Sequence, residues 1–117
     1  MTVHAIEIQR DIKVKDSYNV EPAKLISGSP HQTAWNVYSD RTNRFHCGLW
    51  EGEVGKWRVS YTEDEFCFLI KGCVEIADEA GTAKIFHPGD AFVIPAGFKG
   101  TWGNLEPTGK FYAILEH

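Results

Sequence analysis

From residue 31 onward the sequence keeps one rhythm: short runs rich in β-branched and aromatic residues, each followed by a few residues containing Gly, Pro, Asn or Asp. The runs are TAWNVY, FHCGLW, KWRVSY, EFCFLI, CVEIA, AKIF, AFVI, KGTWG and KFYAIL; the separators include SDRTN, EGEVG, HPGD, PAGF and NLEPTG. Gly supplies positive φ, Pro fixes a turn, and Asn and Asp bond their own backbone, so each separator reads as a turn. No stretch carries the 3.6-residue apolar period of a long amphipathic helix. Eight to ten short strands without helices can bury their apolar faces only by sheet packing or closure, which predicts an all-β sandwich or barrel.

The first thirty residues differ. Ile6-Glu7-Ile8 and Ile12-Lys13-Val14 alternate apolar and charged side chains, the two-residue period of an extended strand with one wet face. SYNVEPAKLISGSP, residues 17 to 30, holds two prolines and reads as a connector with one helical turn. Residues 1–30 are therefore expected to form an extended arm and connector, and 31–117 a single barrel domain. A length of 117 residues with 43% hydrophobic content suffices for one core. The net charge of −4 with interspersed signs gives no basic stripe for nucleic acid. No apolar run reaches the roughly 18 residues of a membrane span or forms a leader, so a cytoplasmic protein without membrane partner is expected. Cys47, Cys67 and Cys73 are odd in number and lack CxxC spacing, which fits reduced thiols.

One residue breaks the apolar pattern. Glu65 directly precedes Phe66-Cys67-Phe68-Leu69-Ile70. Strand parity puts Glu65 with Cys67 and Leu69 on one face, and Phe66, Phe68 and Ile70 on the other. With both faces apolar, the second must meet the arm or another subunit, and a homodimer is expected. The same parity turns Glu65 inward, where a carboxylate lacking a cation should have a raised pKa suited to a general acid or base. Its neighbours Glu63 and Asp64 read as solvated turn residues.

Gly55, Glu65 and Gly72, followed by Gly89, Pro95, Gly97 and Asn104, fall at the spacings of two motifs. The chain from about 31 to 115 thereby resembles the cupins, and W-x-V-x-Y-T-E-D-E-F-C-F-L-I-K-G with P-G-D-A-F-V-I-P-A-G-F-K-G-T-W is similar to the small group named after the (S)-ureidoglycine aminohydrolase cupin domain, also known as DUF861. The resemblance implies a jelly-roll β-barrel with a ligand in its interior. It also implies a metal held by His-x-His, Glu and a second-motif His. Here Val59 and Tyr61, or Arg58 and Ser60, occupy the His-x-His positions, and Gly100 the last. Three of four ligands are missing, and His46 alone could not complete a site with Glu65, so no metal or other cofactor is expected.

In the register of the resemblance, Trp57, Tyr61 and Trp102 point inward, as core or as a surface for a small ligand. Tyr61 adds a hydroxyl. Lys99, in the loop Gly97-Phe98-Lys99-Gly100, is a surface lysine or holds a ligand carboxylate. Cys67 shares the Glu65 face as a small buried residue without a histidine to make it a nucleophile. The implied function is a metal-independent enzyme acting on a small ureido-type or carboxylate metabolite, with Glu65 as acid or base; the alternative is a non-catalytic binding or sensing module.

Overall fold

The computed structural model describes residues 2–117. After an irregular stretch, a 3₁₀ turn spans Ile12–Val14, followed by β1 (Lys15–Asn19), β2 (Leu25–Gly28), β3 (His31–Ser39), β4 (Phe45–Gly52), β5 (Gly55–Ser60) and β6 (Asp64–Lys71). Then come β7 (Val74–Asp78), β8 (Ala83–Phe86), β9 (Ala91–Ile94), β10 (Lys99–Asn104) and β11 (Thr108–Leu115). Two antiparallel sheets form, one in the order β1-β3-β4-β11-β6-β9 and the other β2-β5-β10-β7-β8. The all-β jelly-roll architecture is as the sequence predicts, and all nine runs from residue 31 onward are strands. Among the described residues no helix is long and apolar enough to cross a membrane.

The first thirty residues need two corrections. Ile12–Val14 is a 3₁₀ turn and not an extended strand, because the Asp11 carboxylate accepts the Lys13 N–H and its carbonyl accepts the Val14 N–H. Short local bonds from an aspartate offer the backbone an alternative to the sheet. The stretch read as a connector contributes two strands: β1 pairs with β3 and β2 with β5, separated by a turn in which Lys24 N–H bonds the Glu21 carbonyl. Residues 2–10 run over the outer face of β3 and β4. There the Arg10 guanidinium lies over the Trp35 ring and pairs with Glu51, and Ile6 and Ile8 line a shallow groove with Val37, Tyr38 and Cys47.

The core lies between the sheets and consists of Trp50, Trp57, Cys67, Leu69, Val74, Ile76, Ile94, Trp102 and Tyr112. On β6 the alternation holds: Glu65, Cys67 and Leu69 are buried, whereas Phe66 is 46% exposed. Opposite residues of paired strands share a face. Phe66 and Phe68 therefore lie outside with Val93 of β9 and Phe111 and Ala113 of β11. Trp35 and Leu49 belong to the same outer face but are buried on the half that the arm crosses. The other half stays open, with Val93 59% exposed. Two close approaches constrain the backbone at opposite ends of β7. Gly72, in the β6–β7 turn, has φ +86°, and a Cβ there would stand 2.4 Å from the Pro107 carbonyl oxygen. At Gly100 a Cβ would lie 1.9 Å from the Ala77 carbonyl oxygen.

Candidate functional site

β5 and β10 run side by side with Trp57 opposite Trp102, and β4 faces them from the other sheet with Trp50. The three indoles pack around one point: Trp57 is stacked on Trp102 with centroids 6.5 Å apart, and Trp50 meets Trp102 edge-on at 5.6 Å. Such tilted and offset arrangements set the negative ring faces against positive edges. Each indole N–H that lies inside is satisfied, Trp102 Nε1 donating to Asn104 Oδ1 at 2.8 Å and Trp50 Nε1 to Gln32 Oε1 at 3.0 Å. Together they wall a cavity of about 390 Å³ that Tyr61, Glu65 and Lys110 also line. That size falls within the range of small-molecule sites.

At its floor stands a buried ion pair. Lys110, the third residue of β11, lies directly opposite Trp50, and its side chain extends along the inner face to place Nζ 2.7 Å from Glu65 Oε2. Both side chains are 7% exposed. Cys67 Sγ completes a triangle, 3.4 Å from Glu65 Oε2 and 3.7 Å from Lys110 Nζ. The ammonium also sits over Trp102 at 4.2 Å and Trp50 at 4.9 Å from the ring centroids. Burial by itself opposes the charge on Lys110, but the acidic surroundings, at neutral pH the hydrogen-bonded Glu65 carboxylate, outweigh burial and raise its pKa, so it is an ammonium. Burial pushes the Cys67 thiol up to about 12 and likewise raises Tyr61, so both are neutral hydrogen-bonding groups at neutral pH. The sequence reading assumed that Glu65 has no cation nearby. Lys110 supplies one at 2.7 Å, so Glu65 is not the lone inward carboxylate that the sequence suggests.

The remaining cavity wall is polar. Tyr112 donates its hydroxyl to Asn36 Oδ1 at 2.8 Å, and burial pushes that phenol up to about 12. At the mouth, His46 lies between Ser39 Oγ, 2.7 Å from Nδ1, and Glu116 Oε2, 2.6 Å from Nε2. Tyr18 reaches in from β1, so the N-terminal segment helps to build the wall. Of the residues singled out from sequence, Trp57, Tyr61, Glu65 and Trp102 line this cavity, with Cys67 directly behind it. Lys99 does not join them. It borders a separate surface depression with Arg58, Ser60 and Glu79, because its parity on β10 is opposite to that of Trp102. Asp64 is more than a solvated acid: it accepts the Ala96 N–H at 2.7 Å and pairs with His117, which lowers its pKa.

Lys110 escaped the sequence reading because Pro-Thr-Gly-Lys looks like a turn with a solvated lysine. The usable signal was Glu65 itself, since a buried carboxylate requires a counter-charge from an inward position on a neighbouring strand. Parity alone puts Lys110 on the same face as Tyr112 and Ile114.

The donor set does not fit a divalent metal. Val59 and Tyr61 pack against the core, while Arg58 and Ser60 are exposed, so the inward pair at the first motif offers one phenol. Gly100 has no room for a side chain without moving the β7 backbone. Glu65 Oε2 is committed to an ammonium and a thiol, and among the described residues no three His, Cys, Asp or Glu side chains converge.

Comparison with known proteins follows this geometry closely in fold. Residues 39–112 match the EutQ-like cupin domain family. A DUF861-family protein of unknown function from Pseudomonas syringae pv. tomato superposes over 96% of this chain and 45% of its own, with TM-score 0.77 and 20% identity. The EutQ protein of Clostridium difficile does so over 74% of this chain and 63% of its own, with TM-score 0.66 and 18% identity. The present chain thus spans less than two thirds of either protein. A DUF861-family protein from Thermotoga maritima is 34% identical over 55% of this chain and 73% of its own, with TM-score 0.53. No curated protein matches the sequence.

Proposed function

We propose, from the premise that the chain belongs to the EutQ-like cupin domain family, that its cavity binds a small neutral metabolite carrying adjacent hydrogen-bond donor and acceptor groups, of the amide or ureido type. The observation that carries this reading is the Lys110–Glu65 pair at the cavity floor. The two charges cancel, so the site as a whole presents a dipole. A neutral ligand with a carbonyl oxygen toward the ammonium and an N–H toward the free side of the carboxylate complements a dipole. A carboxylate ligand would instead bring an uncompensated charge among tryptophans, which is costly in a desolvated site. The position of Lys99 outside the cavity also removes the group assigned to hold a carboxylate. The indole faces suit a planar π-system.

The ureidoglycine aminohydrolase resemblance extends this reading to catalysis. Glu65 is the only Asp or Glu side chain among those lining the cavity. It is the group to accept a proton from an attacking water, and Lys110 the group to hold the carbonyl oxygen on which charge develops. A calorimetric and activity screen of ureido compounds, primary amides and matched carboxylates tests both readings. The expected result is binding of neutral compounds in preference to carboxylates by the wild type, and weaker binding of the neutral compounds with loss of any turnover in Glu65→Gln. Preference for the carboxylates would refute the ligand class. A wild type that binds a ureido compound without ever converting it would remove the catalytic extension.

The open half of the outer face supports the expected homodimer. Phe66, Val93 and Leu115 are each at least 46% exposed there, and strands so apolar on both faces need a second layer. Phe66→Glu together with Val93→Lys is expected to yield a monomer by light scattering, with an unchanged far-ultraviolet spectrum. A wild type already monomeric at tens of micromolar would contradict the dimer.

A further inference from the structure

Loss of metal-binding histidines leaves a charge problem that the structure solves in one particular way. A carboxylate inside an indole-walled chamber requires a cation, and among the described residues there is no donor set for a divalent ion. We propose that Lys110 is an internal cation that takes over both tasks of a metal at this position, neutralising Glu65 and holding a ligand oxygen. Its ammonium stands 2.7 Å from Glu65 Oε2, within the distance of a charge-assisted hydrogen bond. Two indoles solvate it further, at 4.2 and 4.9 Å. Nζ has three N–H groups, and its hydrogen-bonding partners are one carboxylate oxygen and one thiol. The third N–H therefore has no oxygen or nitrogen acceptor among the described residues and is available to a carbonyl in the cavity. A tethered ammonium differs from a bound metal in a useful respect, since it cannot be lost to chelators. Gly100 fits the same scheme. A histidine there would drive its Cβ into the Ala77 carbonyl, so the β7 backbone excludes a second-motif imidazole as it would any side chain.

Holding a ligand oxygen rests on the binding reading given above; neutralising Glu65 does not. Two experiments separate them. In the first, Lys110→Ala is refolded and melted with propylammonium, which replaces the deleted part of the side chain, and with propanol or tetramethylammonium as controls. Propylammonium at about ten times its Kd should raise the Tm of Lys110→Ala by about 4 °C or more and leave the wild type unmoved. The two controls, lacking charge or N–H donors, should not restore it. No recovery with propylammonium, in melting or in refolding of a variant that does not fold in buffer, overturns the proposal. In the second, wild-type protein is melted with excess Mn²⁺, Fe²⁺, Ni²⁺ and Zn²⁺, and its metal content is measured by mass spectrometry. Unchanged Tm and far less than one metal per chain are expected. One metal per chain, displaced only on unfolding, would overturn it. If propylammonium restores Lys110→Ala while no ureido or amide compound binds the wild type, the counter-ion role stands and the ligand reading falls.

Discussion

Lys110→Met is expected to destabilise the protein by about 3–5 kcal/mol, the usual penalty when one partner of a buried ion pair is removed. Methionine keeps most of the stem against the indoles, so little packing is lost. What remains is a Glu65 carboxylate, 7% exposed, with only the Cys67 thiol as hydrogen-bond partner. A loss of this size is a large fraction of the 5–15 kcal/mol by which domains are stable. Denaturant titration reads it directly as a lower midpoint at constant slope. A change below about 1 kcal/mol, the range typical of exposed pairs, would mean that water reaches the pair and that the chamber is not desolvated.

Trp102→Ala is the second substitution with a large expected effect, about 3–5 kcal/mol of stability. Trp102 is 2% exposed and joins the aromatic wall to the ion pair. Its ring stacks on Trp57, meets Trp50 edge-on, lies under the Lys110 ammonium and donates its N–H to Asn104. Asn104 Nδ2 in turn donates to the Glu53 carbonyl at 2.9 Å, so the indole also anchors the β4–β5 turn. Trp102→Phe keeps an aromatic face under the ammonium and deletes the N–H, and should lose less than the alanine variant in an equilibrium unfolding measurement. Equal losses in the two variants would show that the ring face contributes little and that the Asn104 bond dominates.

The comparison of sequence and structure separates two kinds of signal. Strands from residue 31 onward were legible because their turns carry Gly, Pro, Asn and Asp at fixed local needs, and Gly72, at φ +86° in the β6–β7 turn, shows a backbone reason of that kind. Glu65 was legible as inward from the two-residue period of its strand, and Trp57, Tyr61 and Trp102 from the register that the cupin resemblance implies. The first thirty residues were not. β1 and β2 are short and largely exposed, and they form because β3 and β5 present open edges, which is a tertiary cause with no local imprint. Lys110 was hidden for a different reason. A lysine after a turn glycine is usually solvated, and only the buried acid 45 residues earlier marks it as an exception. A polar residue on an inward position is informative once its partner is known, and silent before.

The proposed homodimer and the proposed ligand rest on the same logic of unsatisfied surface. An apolar outer face with Val93 59% exposed asks for cover, and a dipolar chamber of about 390 Å³ asks for a complementary occupant. The chamber is the more specific of the two, because its polar atoms have defined partners and directions. It also places Tyr112, Asn36 and His46 within one wall, so ligand specificity can be probed there without touching the ion pair.

The measurement that bears most directly on the whole account is a double-mutant cycle between positions 65 and 110, with Glu65→Gln, Lys110→Met and the two combined, followed by equilibrium unfolding at neutral pH. If a desolvated ammonium and carboxylate neutralise each other inside the barrel, the combined variant should be nearly as stable as the wild type and the coupling should amount to several kcal/mol. Two losses that simply add, leaving the combined variant the least stable of the four proteins, would contradict it.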